Sequence, residues 1–160
     1  MFSPKLNDIK KELNFLLPEQ LAELCLRLSR YKRENKELLS YLLFEAHDEA
    51  AFVEKVKETI DEQFETMPKG NLYIVKKSLR KILKSVTKYI KFSGIKQTEV
   101  ELLIYFSLKM KTAGYANTSN TLLTNLYDQQ LIKINKAIVK LHEDLQFDYQ
   151  KEVGKLENFY

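Results

Sequence analysis

The segment KKSLRKILKSVTKYIK, residues 76–91, decides which class of fold the sequence predicts. On a helix of about 100° per residue, six of its seven basic side chains share one side and its apolar side chains share the other. Separation of this kind, with a period near 3.6 residues, is typical of an amphipathic α-helix, which we predict over residues 72–92. We call its basic side the lysine face, about 21 Å long. The lysine face comprises Lys77, Arg80, Lys81, Lys84, Lys88 and Lys91.

Helical periods of the same kind run through most of the 160 residues, which only four glycines and three prolines interrupt. We therefore predict an all-α protein of about seven helices, with a single domain over residues 1–154. The helix that begins at Pro18 carries leucines on two sides, which favours a central position in the fold. Cys25 lies among those leucines, so we expect a buried and reduced thiol. No segment approaches the roughly 18 apolar residues of a membrane span, and we expect a soluble, cytoplasmic protein with no membrane association.

Polar residues and glycines mark several predicted helix ends. Asp48 is placed to cap a helix over residues 49–66, and Gly94 suits the left-handed position at the end of helix 72–92. Thr98 and Glu101 match a capping box, which predicts the start of the next helix. Gly114 is expected to close that helix.

The C-terminal region has one continuous apolar stripe. From Ser119 or Asn120 as far as Tyr149, apolar residues recur three or four positions apart, which predicts one long C-terminal helix. Its stripe packs on the same domain or, as the alternatives, on a second copy in a homodimer or in the groove of a partner. Beyond Gly154 we expect a frayed C-terminal tail, residues 155–160.

Two parts of the chain resemble each other. LAELCLRLSRYK (21–32) aligns with LRKILKSVTKYI (79–90), and ELLSY (37–41) then aligns with ELLIY (101–105). A helix, a short linker and a second helix thus occur twice, an arrangement that resembles HEAT or armadillo-like helical repeats. The resemblance implies stacked αα-hairpins in a solenoid-like shape, and it implies no functional residues. The alternative architecture is an irregular helical bundle.

Charge is distributed unevenly although the net charge is only +4. Residues 45–65 contain eight acidic and two basic residues, whereas residues 66–98 contain nine basic residues and no acidic one. The sequence leaves open whether acidic helix 49–66 neutralises basic helix 72–92. It also leaves open whether the lysine face is simply a solvated surface.

Our functional prediction is a non-enzymatic protein-interaction module or scaffold that docks an acidic surface of a partner protein on the lysine face. The alternative is a non-specific nucleic-acid-backbone binder that uses the same lysines. Lysine predominates over the arginine that reads base edges, and few aromatic residues are interleaved for stacking, so the protein partner is favoured.

We predict no catalytic residue, no cofactor and no metal site. The chain lacks a His-Glu-x-x-His motif and a glycine-rich phosphate loop. His47 and His142 each precede two acidic residues, but consecutive helical side chains point about 100° apart and cannot converge on one metal ion. A site assembled from distant residues, such as His47 with His142, is the one arrangement that the sequence leaves open.

Overall fold

The computed structural model describes residues 3–159, and these residues form eight α-helices and no strand. The prediction of an all-α protein is confirmed. The helices are α1 (Leu6–Leu13), α2 (Pro18–Tyr31), α3 (Arg33–Phe44), α4 (Glu49–Glu65), α5 (Leu72–Ser93), α6 (Lys96–Thr112), α7 (Thr121–Ile138) and α8 (Glu143–Glu157).

Contacts divide the chain into two compact units, the first ending at Glu45 and the second beginning at Ala46. The first unit contains α1, α2 and α3. Its helices α2 and α3 contact each other and are joined by Lys32 alone. The second unit contains α4 to α8. The predicted single domain over residues 1–154 stays a prediction.

The second unit is built around α6, which contacts α4, α5, α7 and α8. Apolar side chains occupy most of the circumference of α6, so that burial requires a neighbour on each side. Its buried residues are Thr98, Val100, Leu102, Leu103, Ile104, Phe106, Ser107 and Met110. A buried core thus surrounds α6.

The central position that we predicted for the helix beginning at Pro18 is wrong. Helix α2 has no fully buried residue, and its Leu26 and Leu28 are 47% and 59% exposed. Cys25 is also exposed, contrary to the expected buried thiol. A unit of three short helices has too few neighbours to enclose a helix that carries leucines on two sides.

Most of the predicted helix ends are confirmed. The Asp48 carboxylate accepts the Ala51 N–H at 3.1 Å, and Gly94 adopts the left-handed conformation with φ of 68°. Gly114 follows α6 with φ of 84°. The capping box of Thr98 and Glu101 is wrong, because α6 already begins at Lys96 and the buried Thr98 hydroxyl donates to Glu49 at 2.6 Å instead.

The predicted long C-terminal helix is interrupted between Ile138 and Glu143, so the chain has one helix more than expected. At the interruption, His142 is the N-cap of α8, and its Nδ1 accepts the Asp144 N–H at 3.4 Å. The Gln146 side-chain amide donates to the Leu141 carbonyl at 2.7 Å. The interruption lets α8 pack on α6 and α7, which a straight helix would not reach.

The end of α8 is held by two other helices. The Tyr127 hydroxyl on α7 donates to the Leu156 carbonyl at 2.8 Å, and the Lys111 ammonium on α6 donates to the Lys155 and Asn158 carbonyls. These bonds satisfy carbonyls that a helix C-terminus otherwise leaves unpaired. The predicted boundary at residue 154 lies inside α8, where Leu156 is buried. The predicted fraying of residues 155–159 is a statement about motion and stays a prediction. Tyr160 lies outside the described residues.

Two leucine truncations test which helix is central. Leu102→Ala on α6 removes a fully buried side chain and should cost about 2–5 kcal/mol of unfolding free energy. Leu26→Ala on α2, where the side chain is 47% exposed, should cost less than about 1 kcal/mol. Urea unfolding followed by circular dichroism measures both values. Equal losses would contradict the central position of α6.

The hydrogen bond of Tyr127 predicts a dependence of stability on alkaline pH. Burial, with smaller contributions from Asp128 and Glu157, raises the pKa of Tyr127 to about 12 from 10.0. The folded protein therefore holds the phenol proton more tightly than the unfolded chain. The resulting stabilisation is complete below pH 10 and is lost as the pH rises from about 10 to about 12.

A Tyr127→Phe variant isolates this effect from the titration of lysines. At pH 8 we expect the variant to be less stable by about 1–3 kcal/mol, because the Leu156 carbonyl loses its donor. The difference between the two proteins should narrow between pH 10 and pH 12. A difference that stays constant over that range, in unfolding curves at matched pH, would refute the assignment.

Candidate functional site

Helix α5 presents the predicted lysine face because its other side is anchored in the core. Val75, Leu79, Ile82 and Val86 are buried, and α5 contacts α4 and α6. Asn71 caps its start by accepting the Tyr73 N–H at 2.9 Å, and Gly94 ends it. Opposite the buried residues, five basic side chains are exposed to solvent: Lys77, Arg80, Lys81, Lys84 and Lys91.

Lys88 differs from the other predicted residues of the lysine face. It is half-buried, and its ammonium lies 4.9 Å from the centroid of the Tyr89 ring and 5.9 Å from that of Phe92. Aromatic faces attract cations, so Lys88 is already engaged. The structure therefore gives the lysine face five open cations: Lys77, Arg80, Lys81, Lys84 and Lys91.

Acidic residues of α4 are engaged away from the lysine face. The Asp61 carboxylate accepts the Tyr105 hydroxyl at 2.9 Å and pairs with the Lys109 ammonium at 2.8 Å, both on α6. Burial raises the pKa of Tyr105 to about 12, and the Asp61 carboxylate adds to the shift. Glu54 pairs with Lys57 on its own helix at 2.8 Å. Asp61 thus joins α4 to α6, whereas Glu54 pairs within α4.

The Glu49 carboxylate has a similar role at the other end of α4. It accepts the Ser93 and Thr98 hydroxyls, which ties the start of α4 to the end of α5 and the start of α6. Within residues 3–159, no ion pair joins Lys77, Arg80, Lys81, Lys84 or Lys91 to an acidic side chain. The lysine face is thus a row of open positive charge.

Apolar residues border the N-terminal end of the lysine face. Tyr73 is 75% exposed and Ile74 is 42% exposed. At about 100° per residue, Tyr73 lies only about 40° from Lys77 and one turn before it. From the sequence we considered only the charged residues of this helix and missed the apolar border. The spacing of four residues between Tyr73 and Lys77 could have indicated it.

A small recess lies beside Lys81, between the end of α4 and α5. It encloses about 170 Å³ and is lined by Gln63, Met67, Ser78 and Ile82 among others. The Gln63 side-chain oxygen is buried and accepts no hydrogen bond in the described part of the chain. The recess therefore offers apolar walls and an unused acceptor next to a cation, which suits an inserted side chain more than a phosphate.

A second basic cluster, which sequence reasoning did not single out, lies on α7 and just beyond its C-terminal end. Lys133, Lys136 and Lys140 line a recess of about 150 Å³ together with Lys96 and Glu99. The Lys96 ammonium pairs with Glu99. Lys133, Lys136 and Lys140 provide a matched control surface for experiments on the lysine face.

Neither histidine belongs to a cluster. His47 is exposed, and His142 is 76% exposed at the start of α8. Among residues 3–159, His, Cys, Asp and Glu form no group of three or more that could hold a metal ion.

The chain matches no protein-family model, and no curated protein or solved structure is significantly similar to it. Among the described residues, no helix is both long enough and apolar enough to cross a membrane. The functional proposal therefore depends on the geometry and charge of the chain itself.

The open charge of the lysine face should cost stability, which one substitution can measure. Lys84 has like-charged neighbours three and four residues away at Lys81 and Arg80, each repelling it by a few tenths of a kcal/mol. Lys84→Glu should raise the unfolding free energy by about 1 kcal/mol at low ionic strength, and Lys84→Gln by about half as much. Both gains should shrink near 1 M salt. Loss of stability in Lys84→Glu at low salt would contradict the repulsion.

Proposed function

We propose that this protein is a non-enzymatic protein-interaction module that docks an acidic surface of a partner protein on the lysine face of α5. The observation that carries the proposal is a row of five exposed cations without ion pairs, on a helix whose other side is fixed in the core. A rigid row of uncompensated charge attracts a surface of opposite sign and fixes its register.

Features around the lysine face favour a protein over a nucleic acid as the partner. Exposed Tyr73 and Ile74 at its N-terminal end give a partner apolar area to cover. The recess beside Lys81 has the size of a side chain and an unused acceptor at Gln63. Tyrosine and arginine, present here as Tyr73 and Arg80, are enriched at the energetic centres of protein interfaces.

The proposal includes a scaffold of the HEAT or armadillo-like kind, located in the cytoplasm. Its support is that both aligned segments fold as two consecutive helices in contact, α2 with α3 and α5 with α6. The aligned positions differ in burial, since Leu28 is 59% exposed whereas its counterpart Val86 is 1% exposed. The two aligned segments therefore share their order of helices more than their pattern of burial. A lone cysteine, which cannot form an internal disulfide, supports a reducing compartment.

A comparison of charge-reversed surfaces tests the docking site. One variant carries Lys77→Glu, Lys81→Glu and Lys84→Glu on α5. Its control carries Lys133→Glu, Lys136→Glu and Lys140→Glu in the second basic cluster. Proteins that cross-link to the wild type after nuclease treatment should also cross-link to the control variant. They should not cross-link to the α5 variant. The cross-linked partner peptides should be rich in Asp and Glu. Equal capture by both variants would overturn the docking site.

Tyr73→Ala separates protein recognition from simple charge attraction. Once a partner is identified, this substitution should weaken binding about tenfold, the loss expected when a tyrosine buried near the centre of an interface is truncated. Its effect should be independent of salt, whereas that of the charge reversals should fall with salt.

The wild type, the α5 variant and its control also test the nucleic-acid alternative. Anisotropy of labelled single-stranded RNA and duplex DNA is measured at low and near-physiological salt. Micromolar binding with a log-log salt slope of about −3 to −5, lost in the α5 variant only, would replace the protein partner by a nucleic-acid backbone. The absence of binding at low salt would remove that alternative.

A further inference from the structure

A groove in the first unit combines apolar walls with a basic rim. It lies between α2 and α3, encloses about 710 Å³, and Leu26, Leu39, Leu43 and Phe44 form its apolar part. Leu43 and Phe44 are 62% and 70% exposed, which is unusual for side chains of this size at neighbouring positions. Burial of these side chains would be favourable for whatever fills the groove.

The rim of the groove is positively charged. Arg30, Arg33 and Lys36 line it. Arg30 lies 3.4 Å from Glu23 and Arg33 lies 3.0 Å from Glu37, but Arg30 and Arg33 are 69% and 92% exposed. Ion pairs at such exposure are worth little, so these cations remain available to carboxylates of an occupant. The occupant must therefore carry an apolar anchor flanked by acidic groups.

The first two turns of α8 have this combination on their solvent side. Phe147 is 61% exposed, and the Lys151 ammonium lies 4.2 Å from the centroid of its ring. Asp144 is 93% exposed, and Glu143 and Asp148 are exposed as well. On a helix, Asp144 and Asp148 lie on one side of Phe147 and Glu143 on the other, within about 100° of it. Three carboxylates thus flank one aromatic side chain.

We propose that the groove between α2 and α3 binds the outer face of α8 from a second copy of this chain. Phe147 fills the apolar part of the groove, and the carboxylates of Glu143, Asp144 and Asp148 meet Arg30, Arg33 and Lys36 of the other copy. The recess beside Lys81 at the lysine face is a poorer site for this patch, because its volume is about 170 Å³ against about 710 Å³ for the groove. The inference is independent of the proposed partner of α5.

The expected association is weak. A single aromatic anchor buries about 150–250 Å², and interfaces below about 1,200 Å² in total belong to transient complexes. We therefore expect a dissociation constant on the order of 10–100 µM, so that association appears only in concentrated solution. Sedimentation equilibrium between about 5 and 500 µM covers this range. The average mass should rise above the 18.9 kDa of one chain as concentration increases.

Two charge variants with complementary defects identify the surfaces. The groove variant carries Arg30→Glu, Arg33→Glu and Lys36→Glu, and the α8 variant carries Asp144→Lys and Asp148→Lys. Each alone should remain at the mass of one chain. An equimolar mixture of the two variants should associate, because α8 is unchanged in the groove variant and the groove is unchanged in the α8 variant. Circular dichroism of each variant verifies that its helices are retained.

Neutral truncations keep the test decisive if a charge variant unfolds. Phe147→Ala and Leu43→Ala remove exposed side chains with little cost to folding, and each should weaken association by about tenfold or more. The triple variant of α5 should associate like the wild type, which separates this inference from the proposed function.

Three results would overturn the inference. One is a wild-type chain that keeps the mass of one copy up to about 500 µM. Another is association that neither the groove substitutions nor the α8 substitutions reduce. A mixture of the two charge variants that stays dissociated while both are folded would be the third.

Discussion

The fold of the second unit depends on one constraint: α6 is apolar on nearly all sides and has to be enclosed. Leu102 and Phe106 are both fully buried, and they belong to a helix in contact with α4, α5, α7 and α8. Because α6 occupies the inner side of α5, the outer side of α5 can only face solvent. The exposure of the lysine face is thus a consequence of the composition of a neighbouring helix.

Local signals in the sequence predicted α5 well. Its two sides are chemically distinct, Gly94 provides the left-handed end, and all six predicted basic residues lie on one helix. The central helix was harder to find, since α6 and α2 are both rich in leucine. Which of the two is buried depends on how many other helices surround it. This is a property of the tertiary structure, and the spacing of apolar residues along one helix does not indicate it.

The interruption before α8 did have a signal. Lys136 and Lys140 precede it, and Glu143 and Asp144 follow it. Bases at the end of one helix and acids at the start of the next both match the helix dipole, and they indicate two helices although the apolar stripe continues. The contact of Lys88 with Phe92 had a local signal in their spacing of four on α5. The engagement of Asp61 on α4 with Tyr105 and Lys109 on α6 had none, because it results from a contact between helices.

The junction between α2 and α3 has a consequence for the energetics of binding. Lys32 alone separates the two helices, and the Asn35 side-chain amide donates to the Leu28 carbonyl across the junction at 2.8 Å. So short a connection leaves the backbone few conformations to lose. The walls of the groove are therefore preorganised, and a ligand entering it meets a conformational-entropy cost confined mainly to side chains and to the ligand itself.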